Sequence, residues 1–312
     1  MPTHPLDLLR ALAGTQDDVI TARQALSAGL GRAAVASLER RGEWLRIMPG
    51  AYLVDASLHT AVPLAARVRA ALLLHGSTAV AVLDTAARLL GIEGLPPWDG
   101  RTVHIAVPTE LARHQRRPSG VVAHFWKLTN AETSDLRGMP ITSAQRTVTD
   151  LVLRLDRERA VSVLDSALNR KLILPADLPH LEASAAGRRG VRRSREWWTL
   201  ADGRAESPLE TRTRLVCVDG KVAPETLQHP VLDRFGTLLG HADLAWPRRR
   251  TLAETDGERY HSDPGAVYKD RWRANNFSTA AERFIVLRFT WADLRTPEYI
   301  LSTIRLALAA AA

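Results

Sequence analysis

Between Gly240 and Gly257 the chain reads GHADLAWPRRRTLAETDG, and three carboxylates fall there at spacings a β-hairpin would bring together. Asp243 lies on the first arm, Glu254 and Asp256 on the second. Residues i and i+2 of a strand share a face, so Glu254 and Asp256 converge and the neighbouring arm brings Asp243 beside them. Three acids on one face repel one another unless a proton or a cation sits between them. Hard oxygen donors of this kind suit Mg²⁺, which keeps several of its waters, and Mn²⁺ as a substitute. The plain alternative is a solvated hairpin with its acids on the wet face.

The elements that must position these acids can be read from Ala205 onward. SPLETRTRLVCV has the pattern of a helix, stopped at Asp219-Gly220. Ser207, with Pro208 next and Glu210 three residues on, forms a capping box. LQHPVLD, TLLGHADLAWP and RRTLAETD predict three strands joined by tight turns at Arg234-Phe235-Gly236 and Pro247-Arg248-Arg249. Asp263 and Pro264 predict the cap and first residue of a further helix, RFIVLRFT a buried strand, and Pro297 the start of the last helix.

This order resembles the core of the PD-(D/E)XK, or restriction-endonuclease-like, fold. ESPLETRTRL, QHPVLD, GHADLAWP, ETDGERYH, DRWRANN and VLRFTWADL, over about residues 204–309, are similar to an uncharacterised family of endonuclease-like domains related to very-short-patch-repair endonuclease. The resemblance implies that Asp243 and Glu254 hold the metal and that Asp256 stands where the usual signature has lysine. It also implies a glutamate from the first helix, best matched by Glu210, with Glu206 one turn earlier as the alternative. Phosphodiester hydrolysis needs an activated water and a cation to neutralise charge building at phosphorus, which one or two Mg²⁺ ions would supply. His261 could serve as general base or as acid toward the leaving group. Arg271 and Arg273 could clamp a phosphate. Structural rivals stand beside these roles: a cap for Glu210, a turn hydrogen bond for His261, a helix-surface ion pair of Asp270 with Arg271 or Arg273, and core packing for Trp246, Trp272 and Trp291.

At the other end, Leu6, Leu8, Leu9 and Leu12 predict a short amphipathic helix. Thr21 caps a second helix, ARQALSAGL, and Gly31 opens a third, RAAVASLERRG. EWLRIMPGAYLV then predicts a hairpin around Pro49-Gly50. Three helices followed by a hairpin form a winged helix-turn-helix pattern. Its third helix would enter the major groove, offering Arg32, Ser37, Arg40 and Arg41, with Arg46 on the wing. VITARQALSAGLGRAAVASLERRGEWLRIMPGAYLV, within about residues 4–55, resembles the N-terminal domain of AbiEi-type antitoxins, which implies a winged helix that represses its own operon and a possible toxin partner.

The middle of the chain opens with two predicted helices, LAARVRAALLLHG and STAVAVLDTAARLLGI, the second capped by Ser77. RTVHIAVP and GVVAHFWKL alternate like paired strands, separated by a basic loop with Arg113, His114, Arg116 and Arg117. GMPITSAQRTVTDLVLRL predicts a strand entering a helix, capped by Thr142 or Ser143, on which Arg146 and Asp150 face each other. This resembles the second domain of AbiEi-like proteins and implies a shared scaffold with no catalytic role. His75, His104, His114 and His124 lack metal-ligand spacing.

Composition bounds the partners. The formal charge of +8 suggests a polyanion. Residues 1–58 hold 6 basic and 6 acidic side chains, 59–200 hold 20 and 13, and 201–312 hold 16 and 15, so the excess lies in the middle. It is densest at Arg188, Arg189, Arg192, Arg193 and Arg195. The single cysteine, Cys217, excludes a disulfide framework and cysteine-based zinc fingers. The apolar runs are too short to span a bilayer and no signal segment is visible, so a cytoplasmic protein without a membrane partner is expected.

The sequence therefore predicts an α+β / α/β multidomain chain. It comprises a winged helix-turn-helix (1–58), an α/β middle domain (59–185), a basic linker (186–203) and an α-βββ-α-β-α endonuclease-like domain (204–312). The expected function is a Mg²⁺-dependent DNA endonuclease that nicks or cuts DNA, targeted by its winged helix. The alternative is an antitoxin-like DNA-binding regulator whose nuclease-shaped domain is inactive.

Overall fold

Local capping and alternation produce most of the predicted elements, and long-range pairing then sorts them into two units. The computed structural model describes residues 4–111, 119–257 and 283–311. One unit is Met1–Ile92 with Pro96–Leu151, the other Glu93–Leu95 with Val152–Ala312.

The first unit begins with α1 (Pro5–Gly14), β1 (Val19–Thr21), α2 (Ala22–Ser27), α3 (Arg32–Arg40), β2 (Leu45–Met48) and β3 (Ala51–Leu53). Thr21 caps α2 in a reciprocal capping box with Gln24, which satisfies two otherwise orphaned backbone donors. Val35 and Leu38 of α3 pack with Leu9, Ile20, Trp44 and Tyr52. The strands form an antiparallel sheet in the order β1-β3-β2, so Val19–Thr21 adds a strand to the predicted hairpin. The arrangement is that of a winged helix.

The same unit continues with α4 (Leu64–His75), β4 (Val80–Ala81), α5 (Leu83–Leu89), β5 (Val103–Val107), β6 (Val121–Phe125), β7 (Thr133–Leu136), β8 (Met139–Thr142) and α6 (Ala144–Val152). Its sheet runs β6-β5-β4-β8-β7. Ser77 caps no helix, contrary to the sequence expectation. Val80 and Ala81 pair with Ala106 and Ile105 of β5, Ala81 also pairs with Ile141 of β8, and the helix starts only at Leu83. A central strand position satisfies backbone groups on both sides, and this outweighs the local helical pattern. The strands β5 and β6 pair as predicted, in parallel.

Val19, Met48 and Leu53 of the winged helix share one core with Ala66 and Val68 of α4, Ile105 of β5 and Ile141 of β8. Burying each such Val, Leu or Ile contributes roughly 1.5–3 kcal/mol. That shared core holds residues 1–58 in one unit with the sheet that follows, where the sequence predicts separate domains 1–58 and 59–185.

The second unit holds α7 (Arg157–Asn169), α8 (Leu178–Ser184), α9 (Val191–Ser194), α10 (Pro208–Asp219), β9 (Thr226–Leu232), β10 (Leu238–Trp246), β11 (Thr251–Asp256), β12 (Ile285–Thr290) and α11 (Pro297–Ala310). The sheet order is β12-β11-β10-β9, antiparallel from β9 to β11 and parallel between β11 and β12. Cys217 of α10 and Ile300 and Ile304 of α11 pack on Leu227, Leu244, Trp246, Ala253 and Phe289 of the strands. Two expectations change here. Among the described strands β12 is an edge, with only Phe289 buried, because it pairs with β11 alone. Residues 186–203 are no linker: Ser194, Trp197 and Trp198 are buried, which fixes the segment within the unit.

The helix predicted from Asp263, with His261, Arg271, Trp272 and Arg273, lies outside the described residues, as does the loop carrying Arg113, His114, Arg116 and Arg117. Among the described residues no helix is long and apolar enough to cross a membrane.

Candidate functional sites

Three of the predicted acids are buried: Glu210 is 5% exposed, Glu254 5% and Asp243 9%. They lie on α10, β11 and β10 respectively. A buried carboxylate is costly unless hydrogen bonds or an opposite charge compensate it, and for Glu210 and Asp243 the hydrogen bonds that do so can be named. Ser207 Oγ accepts from Glu210 N at 3.2 Å, one half of the predicted capping box, while the Glu210 side chain does not return to Ser207 N. The carboxylate of Glu210 then accepts from Glu206 N at 2.9 Å and from Gln228 Nε2 at 3.0 Å, both at Oε2. Glu206 itself is exposed and offers its backbone, so of the two alternatives Glu210 is the acid directed inward. Burial, and secondly the charge of Asp243, push the Glu210 carboxyl up to about 7.

Asp243 Oδ2 accepts from both Thr255 N at 2.7 Å and Thr255 Oγ1 at 2.8 Å. Thr255 thus ties β11 to the acid of β10 from between Glu254 and Asp256. Asp256 is half-exposed and lies 3.8 Å from Arg288 Nη1 of β12. These contacts draw Asp256 and Asp243 to different partners. Among the described residues no group of three or more His, Cys, Asp or Glu side chains is placed to hold a metal ion. The described residues alone therefore do not assemble the three-carboxylate cage that the hairpin spacing suggests. Thr255 and Gln228 were invisible to sequence reasoning, since neither type signals a role until the register is known.

The winged helix presents a second surface. Arg32 and Arg40 of α3 are exposed. Ser37 Oγ accepts from Arg41 Nη1 at 2.8 Å, and Arg41 Nε donates to Glu43 at 2.6 Å. Arg46 Nη2 donates to Glu39 Oε2 at 2.7 Å, and its guanidinium lies 5.6 Å from the Tyr52 ring centroid. That ion pair joins the wing to α3 across the surface predicted to meet DNA. It holds the Arg46 guanidinium above its ordinary value, chiefly through the hydrogen bond to Glu39.

The histidines separate into different settings. His104 Nδ1 and His124 Nε2 are 3.0 Å apart on β5 and β6, and Asp84 lies 3.4 Å from His104 Nε2. Arg146 pairs with Asp150 at 2.9 Å, as predicted, and also with Glu132. It stacks 5.5 Å from the Trp126 ring centroid.

Comparison with known proteins finds that residues 7–54 match a family described as "Transcriptional regulator, AbiEi antitoxin". The N-terminal segment is thus similar to AbiEi-type regulator domains. The uncharacterized proteins MT2308 and Rv2248 of Mycobacterium tuberculosis, from strains CDC 1551 / Oshkosh and ATCC 25618 / H37Rv, are each 29% identical over 234 residues. Those residues are 75% of this chain and 81% of each relative. The crystal structure of RV2827C protein from Mycobacterium tuberculosis matches with a TM-score of 0.42 and 19% identity, covering 75% of this chain and 85% of that one.

Proposed function

We propose that this protein is an antitoxin-like DNA-binding transcriptional regulator that reads duplex DNA through α3 and the β2–β3 wing. The observation that carries the reading is the coincidence of the regulator-family match over residues 7–54 with a winged helix whose α3 leaves Arg32 and Arg40 exposed. In this docking mode the recognition helix enters the major groove. Phosphate contacts fix register, and base-edge contacts give specificity. A toxin is the protein partner that the family implies.

Fluorescence anisotropy with duplexes from the region upstream of the protein's own gene, at fixed salt, tests this. Wild type should prefer a site there over unrelated duplex, and the double variant Arg32→Ala/Arg40→Ala should lose that preference. Equal affinity for every duplex would overturn the regulator reading.

A second reading, Mg²⁺-dependent DNA cleavage by the C-terminal sheet, is favoured by one observation: Glu210 is raised partly by the charge of Asp243, so acids from α10 and β10 feel each other. Hard carboxylate donors suit Mg²⁺, yet the described side chains do not gather into a set able to hold it, so the regulator reading comes first. Calorimetric titration with Mg²⁺ and Mn²⁺, with plasmid nicking, decides between them. Metal-dependent nicking abolished by both Asp243→Ala and Glu254→Ala would establish the nuclease.

A further inference from the structure

Residues 188–195 hold five arginines and no acid, and the fold keeps them together where a free linker would let them spread. Gly190 has φ +100, and a Cβ there would lie 2.1 Å from the Leu153 carbonyl oxygen. The chain turns sharply at that point into α9 and the 3₁₀ turn Arg195–Leu200. Burial of Ser194, Trp197 and Trp198 anchors the turn from beneath. Arg193 completes the anchor, donating to Leu153 O at 3.0 Å and stacking 5.5 Å from the Trp197 ring centroid.

Arg189, Arg192 and Arg195 remain at the surface, exposed and in no ion pair among the described residues. The nearest acid in sequence, Glu196, also acts on Arg157. Holding like charges in an ordered turn is unfavourable unless an opposing charge arrives from outside. We propose that this turn is a phosphate-backbone contact of the second unit: a sequence-independent docking surface for duplex nucleic acid, made by Arg189, Arg192 and Arg195. The inference rests on the regulator reading for its choice of partner.

Two features favour nucleic acid over an acidic protein. The winged helix is charge-neutral, with 6 basic and 6 acidic residues in 1–58, so a cluster of unopposed arginines elsewhere in the chain would add phosphate contacts, and the counterion release they bring, beyond those of the winged helix. The turn also presents no exposed aromatic or aliphatic anchor, since Trp197 and Trp198 are buried. Protein interfaces concentrate their binding energy in such anchors and deplete charge at their centres.

The test is anisotropy of the full chain on the upstream duplex and on an unrelated duplex, from 50 to 200 mM salt (roughly the range over which phosphate contacts are lost). The variants are Arg189→Gln/Arg192→Gln/Arg195→Gln and Arg32→Ala/Arg40→Ala, with thermal melts to confirm folding. Each phosphate contact contributes about 0.9 to the slope of log affinity against log salt. The triple variant should therefore lose up to about 2.7 of that slope on both duplexes, with the ratio of the two affinities unchanged.

A triple variant with wild-type slope and affinity would overturn the docking surface and leave the regulator reading intact. Arginine-dependent, salt-sensitive binding without any preference for the upstream duplex would support the surface and overturn the regulator. No duplex binding by wild type overturns both. Loss of an acidic protein partner by the triple variant, with DNA binding unchanged, overturns the proposal in favour of a protein interface.

Discussion

Arg69 on α4 donates through Nε to Asp17 at 2.8 Å, while its other two nitrogens donate to the carbonyls of Gly138 at 2.6 Å and Arg137 at 2.7 Å. The guanidinium of this buried arginine, 8% exposed as a residue, thereby holds the turn that enters β1 and the turn between β7 and β8. Asp17 and Arg137 are both left-handed, with φ +52 and φ +53, so each turn is held in a backbone conformation that costs free energy by itself. Arginine is specific here because its planar fork donates in several fixed directions and an ammonium cannot.

The Arg69→Met variant keeps the length and removes every donor, leaving two carbonyls and a carboxylate without this partner. Urea unfolding should show a loss of about 3 kcal/mol, the scale for breaking a buried charged network, and Arg69→Lys should recover less than half of it. A change within about 0.5 kcal/mol, typical of an uninvolved surface site, would remove Arg69 from its role of joining the winged helix to the rest of its unit.

Glu210 carries a pH dependence with a defined sign. Its folded-state value is raised from 4.5 to about 7, so the folded state binds the proton more tightly than the unfolded chain does. The stability this contributes is complete below the unfolded value, declines as pH rises, and is gone above about 7. The Glu210→Gln variant should lack that decline and should exceed wild type at pH 8 by up to about 3 kcal/mol. Parallel wild-type and variant curves from pH 5 to 8 would contradict it. Cation binding at the acids would reverse the sign at high pH, and adding Mg²⁺ to both proteins reads this out.

Gly190 and Gly236 form a matched pair for testing the arginine turn. Both have positive φ, +100 and +80, but only Gly190 has a backbone carbonyl in the space a Cβ would take. The Gly236→Ala change should cost only left-handed strain, about 1–2 kcal/mol. The Gly190→Ala change adds displacement of Leu153 and should cost clearly more, with Trp197 and Trp198 becoming accessible to fluorescence quenching. Equal costs would mean that the close approach to Leu153 does not hold the turn.

Glu39 pairs with Arg46 at 2.7 Å on the winged-helix surface. Exposed pairs contribute roughly 0–1 kcal/mol, so Glu39→Gln should leave the melting temperature nearly unchanged. It should nevertheless tighten DNA binding severalfold, by releasing Arg46 to phosphate and removing an acid from the interface. Weaker binding would mean that the pair pre-positions the wing.

Local signals in the sequence determined where most elements lie. Ser207 and Thr21 cap their helices because side-chain hydroxyls satisfy donors only two or three residues away. The strand alternation around HADLAW and LAETD survives because its period belongs to the backbone itself. The regulator pattern of residues 7–54 and the acids of the C-terminal hairpin were legible for the same reason.

Tertiary structure decided what those elements do to one another. It turned Val80 into a central strand, folded the arginine run onto Trp197, and placed β12 at an edge. It gave Asp243 to Thr255, paired Asp165 with Arg214 across 49 positions at 2.8 Å, and joined His104 to His124. Burial and register depend on partners distant in sequence, and a carboxylate reads the same in the sequence whether it ends beside a cation, a threonine or water.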